Sequence, residues 1–355
     1  MVTPTSVRGG LGRGALYPRI EPGSECTIPE PVCRTLPKVN PDYPTIYEHN
    51  AAWVRRFFPF PSRIASLRML EYRYPLWDCL LYPTGLAGRV LHMSCVTSLM
   101  FTVDDLAAAR SALFDDINAD WIANHAFGSA FADIWSTLKR NMPESVYRRY
   151  RKGWQDCFVG FVSENDFRAR HEVPDLSTYL DIRRLSIGMA PYLAGAEYVH
   201  DFDIAELIKN DQDLFDAGRS VFDHVILAND LLSFSWEYFS GDYFNSVCSL
   251  IYAHGHNLQD AVDITGEMIR MADSELAHRC ELLRRRYILF PQVQIYLDTL
   301  NSICAGNLRW ALETPRYIGH GRGWNGLRSG RIRLQPDRMT LESVSSDTPL
   351  CRSAP

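Results

Sequence analysis

Residues 213–239 read DLFDAGRSVFDHVILANDLLSFSWEYF. The run holds no proline and a single glycine, Gly218, and its middle, residues 225–228 (VILA) and 231–234 (LLSF), is apolar around most of a helical circumference. That pattern fits a helix surrounded by other helices rather than one lying on a surface. Further stretches of helical period surround it, among them residues 87–113, 133–142, 177–189, 258–287 and 291–314, separated by Pro, Gly and Asn/Asp punctuation. No repeat and no strand–helix alternation is present. The expectation is one all-α domain, a helical bundle spanning about 36–318, with 1–35 a flexible leader and 319–355 a flexible tail.

The middle of the same run carries chemistry. Asn229, Ser233 and Glu237 stand four residues apart. Four residues turn a helix by about 400° and advance it by about 6 Å, so the three oxygen-bearing side chains form one stripe. An amide oxygen, a hydroxyl and a carboxylate are hard ligands suited to Mg2+, which completes its octahedron with water and phosphate oxygens. The flanking residues are apolar, and a buried polar stripe needs partners.

With 355 residues, 46% of them hydrophobic, the chain can build a sizeable core. A formal net charge of -5 provides no basic field for nucleic acid, so an anionic ligand needs a local cluster of arginine or metal. Nine scattered cysteines without a C-x-x-C pair read as reduced thiols, with neither a disulfide framework nor a zinc motif. The first residues lack an apolar signal core, GGLGRG (9–14) has no strand before it and no helix after it, and no run reaches about 18 apolar residues. A cytoplasmic protein without a membrane anchor is expected.

The segment N-D-L-L-S-F-S-W-E (229–237) resembles the metal motif of class I terpene synthases, and the chain looks most like the fungal sesquiterpene synthases. In that family an aspartate motif faces the first one, and MFTVDDLAAAR (100–110) supplies Asp104 as metal ligand with Asp105 beside it. The place of a third acid is held by Ala108, and the richer acidic stretch Asp115, Asp116, Asp120 follows an expected helix end. YLDIRRLSIGMAP (179–191) resembles a diphosphate-sensing arginine followed by a helix break; Arg183 takes that role, with Arg184 as the alternative, and the backbone at Ser186, Ile187 and Gly188 would point at the reacting cation. Arg316 and Tyr317 resemble the pair that closes over the diphosphate, and Trp310 resembles a pocket-wall aromatic, with Phe101 a further candidate for that wall. Trp77 and Phe57 or Phe58 are further wall candidates.

The resemblance implies a Mg2+-dependent enzyme, with three ions per site, that ionises and cyclises a linear isoprenyl diphosphate. Farnesyl diphosphate is the expected substrate. Geranylgeranyl or geranyl diphosphate is the alternative, as is a non-catalytic isoprenyl-diphosphate binder whose aspartate motif has decayed at Ala108. Neither nucleic acid nor membrane is an expected partner, and the protein is expected to be a monomer or homodimer.

Overall fold

A computed structural model describes residues 20–103, 125–320 and 325–335. After strand β1 (Glu25–Ile28), the chain forms helices α1 (Tyr43–Phe57), α2 (Arg63–Glu71), α3 (Tyr74–Leu81) and α4 (Ala87–Val103). The next described elements are α5 (Gly128–Asn141), α6 (Glu144–Arg170), α7 (Leu176–Ser186), α8 (Met189–Val199) and α9 (Ala205–Asn210). Then come α10 (Gln212–Ser240), α11 (Ser246–Tyr252), α12 (Leu258–Arg286), α13 (Pro291–Glu313), α14 (Pro315–Ile318) and strand β2 (Gly330–Arg333). The all-α expectation holds, with a two-stranded sheet added.

The long helices begin and end where local chemistry allows. Asp211 caps α10 by accepting from the Asp213 and Leu214 amides, and Gly241 ends it in the left-handed region. Asn257 caps α12 through the Asp260 amide, and Pro291 opens α13. Helix α10 packs along α12 and also meets α13, whereas α6 lies against α7 and α8, and α3 against α13. All eight residues of α3 are buried, Asp78 included. Among the described residues, no helix is long and apolar enough to cross a membrane.

One local feature sets the shape of the site. The break expected after Arg183 is present: α7 stops at Ser186, Gly188 adopts φ 71°, and α8 starts at Met189. Pro191 and the left-handed glycine make continuation unfavourable. Helix α6 lies tight against this break because it presents glycines there. A Cβ on Gly160 would come within 2.5 Å of the Ser186 nitrogen, and one on Gly153 within 2.7 Å of the Pro191 nitrogen.

The flexible leader and tail need correction for their described parts. Residues 25–28 pair antiparallel with 330–333, Glu25 opposite Arg333, and β1 rests on α12. Ile28, Ile332 and Leu334 are buried, so these short strands hold apolar side chains that a sequence lacking periodicity conceals. A four-residue strand offers too little alternation to stand out from a Gly/Pro-rich segment.

Candidate active site

Asn229, Ser233 and Glu237 lie on α10, as their spacing requires. Asn229 is held from two sides. Its Oδ1 accepts from Arg183 Nη2 at 3.2 Å, and its Nδ2 donates to the Tyr317 hydroxyl at 2.5 Å. The fold thus brings together three candidate residues from α7, α10 and α14. Arg184 turns away, bound through Nε and Nη2 to Asp223 at 2.7 and 3.0 Å and through Nη1 to Asp181. Adjacent helix positions diverge by about 100°, which is why only one arginine of the pair reaches the stripe.

Ser233 is 1% exposed, and its Oγ has no hydrogen-bond partner among the described residues. A buried hydroxyl without a partner costs free energy, so the stripe is built for a ligand it does not find in the protein. Glu237 accepts from Asn245 Nδ2 at 2.8 Å. Burial, and then the nearby Asp242 and Asp230, push its carboxyl up to about 7. An oxygen triad with surplus negative charge and an orphaned hydroxyl fits a hard divalent cation.

Several residues of this network escaped the sequence reading. Glu164, buried in the middle of α6, accepts from Arg183 Nη1 at 3.1 Å, from Arg168 Nη1 at 2.8 Å and from the Ser186 hydroxyl. Burial alone would raise its carboxyl pKa, but Arg183 and Arg168 hold it below the usual value. Arg168 also chelates Asp242 at 3.0 and 2.9 Å. Asp230, next to Asn229, accepts from Tyr179 Oη at 2.6 Å and from the Ser246 amide at 3.1 Å, and its Oδ1 lies 3.8 Å from Arg183 Nη2. The i,i+4 partner of Glu164, Arg168, lies on α6 itself in a pairing common on solvated helix faces, so the contacts that set Glu164 apart, Arg183 and Ser186, come from α7.

The aromatic candidates divide. Trp310 is buried, donates Nε1–H to the Tyr72 carbonyl at 2.9 Å, and lies 5.9 Å from Phe101 and 6.0 Å from Tyr317, ring centre to ring centre. Trp77 joins the group edge-on to Phe101 at 5.7 Å and to Tyr192 at 4.6 Å. The Arg316 guanidinium sits over the Phe101 ring at 5.5 Å, and its Nη1 reaches the Tyr74 hydroxyl at 3.4 Å. Phe57 and Phe58 belong elsewhere, packing on Trp53, with Phe58 also against Phe127. Gly188 marks the helix break beside Trp154 and Cys157, and the Cys157 thiol donates to the Ser186 carbonyl at 3.3 Å. Asp104, Asp105, Ala108, Asp115, Asp116 and Asp120 lie outside the described residues.

A family model described as "Terpene synthase family 2, C-terminal metal binding" matches residues 96–272. The chain is 27% identical over 347 residues to Microbial Terpene synthase-like protein 13 of Selaginella moellendorffii, covering 90% of this chain and 96% of that protein. It is 27% identical over 200 residues to Sesquiterpene synthase Agr1 of Cyclocybe aegerita, covering 56% of this chain and 58% of that protein. The fold is shared with the linalool/nerolidol synthase of Streptomyces clavuligerus, with a TM-score of 0.71 at 21% identity over 79% of this chain and 100% of that one.

Proposed function

Because the chain belongs to the terpene synthase family, an enzyme family whose model here is a metal-binding one, we propose that it ionises farnesyl diphosphate and cyclises the C15 cation to a sesquiterpene, releasing diphosphate. The observation that carries this reading is the Asn229–Ser233–Glu237 stripe, with Arg183 and Tyr317 both bonded to Asn229. The sesquiterpene synthases among its relatives favour the C15 chain.

Magnesium, three ions by the family resemblance, would be held by Asn229, Ser233 and Glu237 with Asp104 from the aspartate motif and Asp105 beside it, and supplies Lewis-acid stabilisation of the leaving diphosphate. The chain's own residues supply the rest. Breaking the allylic carbon–oxygen bond sends the electron pair to the diphosphate, and Arg183 and Arg316 would take up that charge through charge-assisted guanidinium hydrogen bonds. Tyr317 adds a phenolic donor. Glu164 locks Arg183 on the side away from Asn229, so the arginine meets the anion already oriented.

The allylic cation left behind needs dry walls. Trp310, Phe101 and Trp77 offer ring faces worth about 1–2 kcal/mol each to a desolvated cation, and their apolar edges exclude water. The Ser186 carbonyl at the helix break, steadied by the Cys157 thiol and by the tight passage of Gly160, is the dipole suited to face the cation. Ring closure then ends by loss of a proton or capture by water.

Incubating the protein with C10, C15 and C20 diphosphates and Mg2+, then resolving the extract by gas chromatography with mass detection, tests the proposal. A cyclic C15 hydrocarbon or alcohol from farnesyl diphosphate is expected. Product only from the C10 or C20 chain would refute the substrate assignment, and tight diphosphate binding without any product would refute catalysis.

A further inference from the structure

On the far side of α10 from no obvious chemistry in the sequence, three remote residues converge: Cys33, just after β1, His224 on α10 and Asp273 on α12. Their sulfur, ring-nitrogen and carboxylate oxygen atoms all lie within 4.8 Å of one another. His224 is 0% exposed and Asp273 5%, while Cys33 is half-buried. The sheet and the segment that follows it bring Cys33 onto the two helices.

The imidazole is set for ligation. His224 Nε2 lies 3.0 Å from the Val32 carbonyl, which can only accept, so Nε2 carries the proton and Nδ1 presents its lone pair. Among the described residues, that buried Nδ1 has no hydrogen-bond partner. Metal-bound histidines commonly donate their other N–H to a backbone carbonyl in this way. Asp273 Oδ1 accepts from the Arg34 amide at 3.1 Å, while Oδ2 lies 3.1 Å from Arg34 Nε without an aligned hydrogen bond. A thiol–imidazole–carboxylate relay would use both ring nitrogens, one for each neighbour. Here Nε2 is already committed to Val32, which leaves one nitrogen and excludes the relay.

We propose that Cys33, His224 and Asp273 form a second metal site, selective for a borderline-soft divalent ion of the zinc class, which staples the segment after β1 to α10 and α12. A thiolate, an imidazole and a carboxylate suit zinc, with bonds of about 2.0–2.3 Å, and suit magnesium poorly. Tetrahedral bonds of that length put ligand atoms roughly 3.3–3.8 Å apart, so closing the site takes a contraction of no more than about 1–1.5 Å. Binding moves the Cys33 proton to solvent, since only the thiolate ligates. Water supplies the fourth ligand. The staple is separate from the Asn229 stripe, although His224 shares its helix.

The test uses chelator-stripped full-length protein and Co2+ as the optical probe. One equivalent is expected to produce thiolate-to-cobalt charge transfer together with intense tetrahedral d–d absorption. Zn2+ should abolish both, and a thousandfold excess of Mg2+ should leave them unchanged. Cys33→Ser should lose the charge-transfer band and weaken Zn2+ binding by more than about tenfold, whereas Glu237→Gln, on the other stripe, should keep the band. Alkylation mapping by mass spectrometry identifies the thiol in the wild type without any variant, and Zn2+ should protect Cys33. Absence of the band, its survival in Cys33→Ser, or alkylation of Cys33 unaffected by Zn2+ would each overturn the proposal.

Discussion

Ser233 and Glu237 make opposite demands on the protein without its metal, and each gives a measurable consequence. Removing the unpartnered Ser233 hydroxyl relieves a buried polar group, so Ser233→Ala should leave the metal-free melting temperature unchanged or raise it. The same substitution should lower kcat/KM by about 100-fold or more in Mg2+, because a ligand to the stripe is gone. Glu237 titrates near 7 instead of the usual 4.5. Its folded pKa lies above the unfolded one, so between these values the folded state holds more protons, and metal-free stability falls as pH rises from about 4.5 to 7. Asp230 and Asp78, both raised by burial, act in the same direction. Melting curves of metal-free protein across that range should show the decline, and Glu237→Gln should flatten it. Below pH 7, calorimetry in buffers of different ionisation enthalpy should record proton release as Mg2+ and diphosphate bind. Of this site, Asn229, Ser233 and Glu237 were legible as one stripe because helical spacing fixes their relative directions, whereas Arg183 was singled out only by its resemblance to a family motif. Glu164 was not, since its local pairing with Arg168 looks like a surface ion pair, and its role beside Arg183 appears only once the fold brings α7 against α6.

At the scale of elements, the carbonyl proposed to face the cation depends on the break between α7 and α8. That break was half legible: Gly188 and Pro191 announce a kink, yet nothing local says that α6 must pass so close to it. Gly160→Ala places a methyl within 2.5 Å of the Ser186 backbone, and the neighbour there is main chain that cannot swing aside. The expected outcome is a loss of about 1–3 kcal/mol of stability and a fall in kcat larger than the rise in KM, with altered product ratios, read by denaturant melts and gas chromatography. The long helix read over 213–239 and found over 212–240 shows the other extreme. There one continuous apolar period and two flanking caps determine the element almost completely.

For the whole molecule, the helical bundle was readable from period and punctuation, whereas the sheet was not, because its two strands recognise each other only across the length of the chain. Ile332 is 1% exposed in that sheet, so Ile332→Ala should cost about 2–4 kcal/mol and lower the melting temperature. Diphosphate joined to Mg2+ at about one hundred times its dissociation constant should raise the melting temperature by about 3–4 °C over Mg2+ alone. No such rise would remove the support for the phosphate-binding role of Arg183, Arg316 and Tyr317.

The pairing of Glu25 with Arg333 spans 308 positions. During synthesis the first strand emerges early and its partner last, so the clasp closes only after every described helix has left the ribosome. Until then the first strand has its packing on α12 as shelter, once that helix is made. The slowest step in maturation should therefore be this late zipping, and a chain stalled short of β2 should display its first strand as an open edge to other chains.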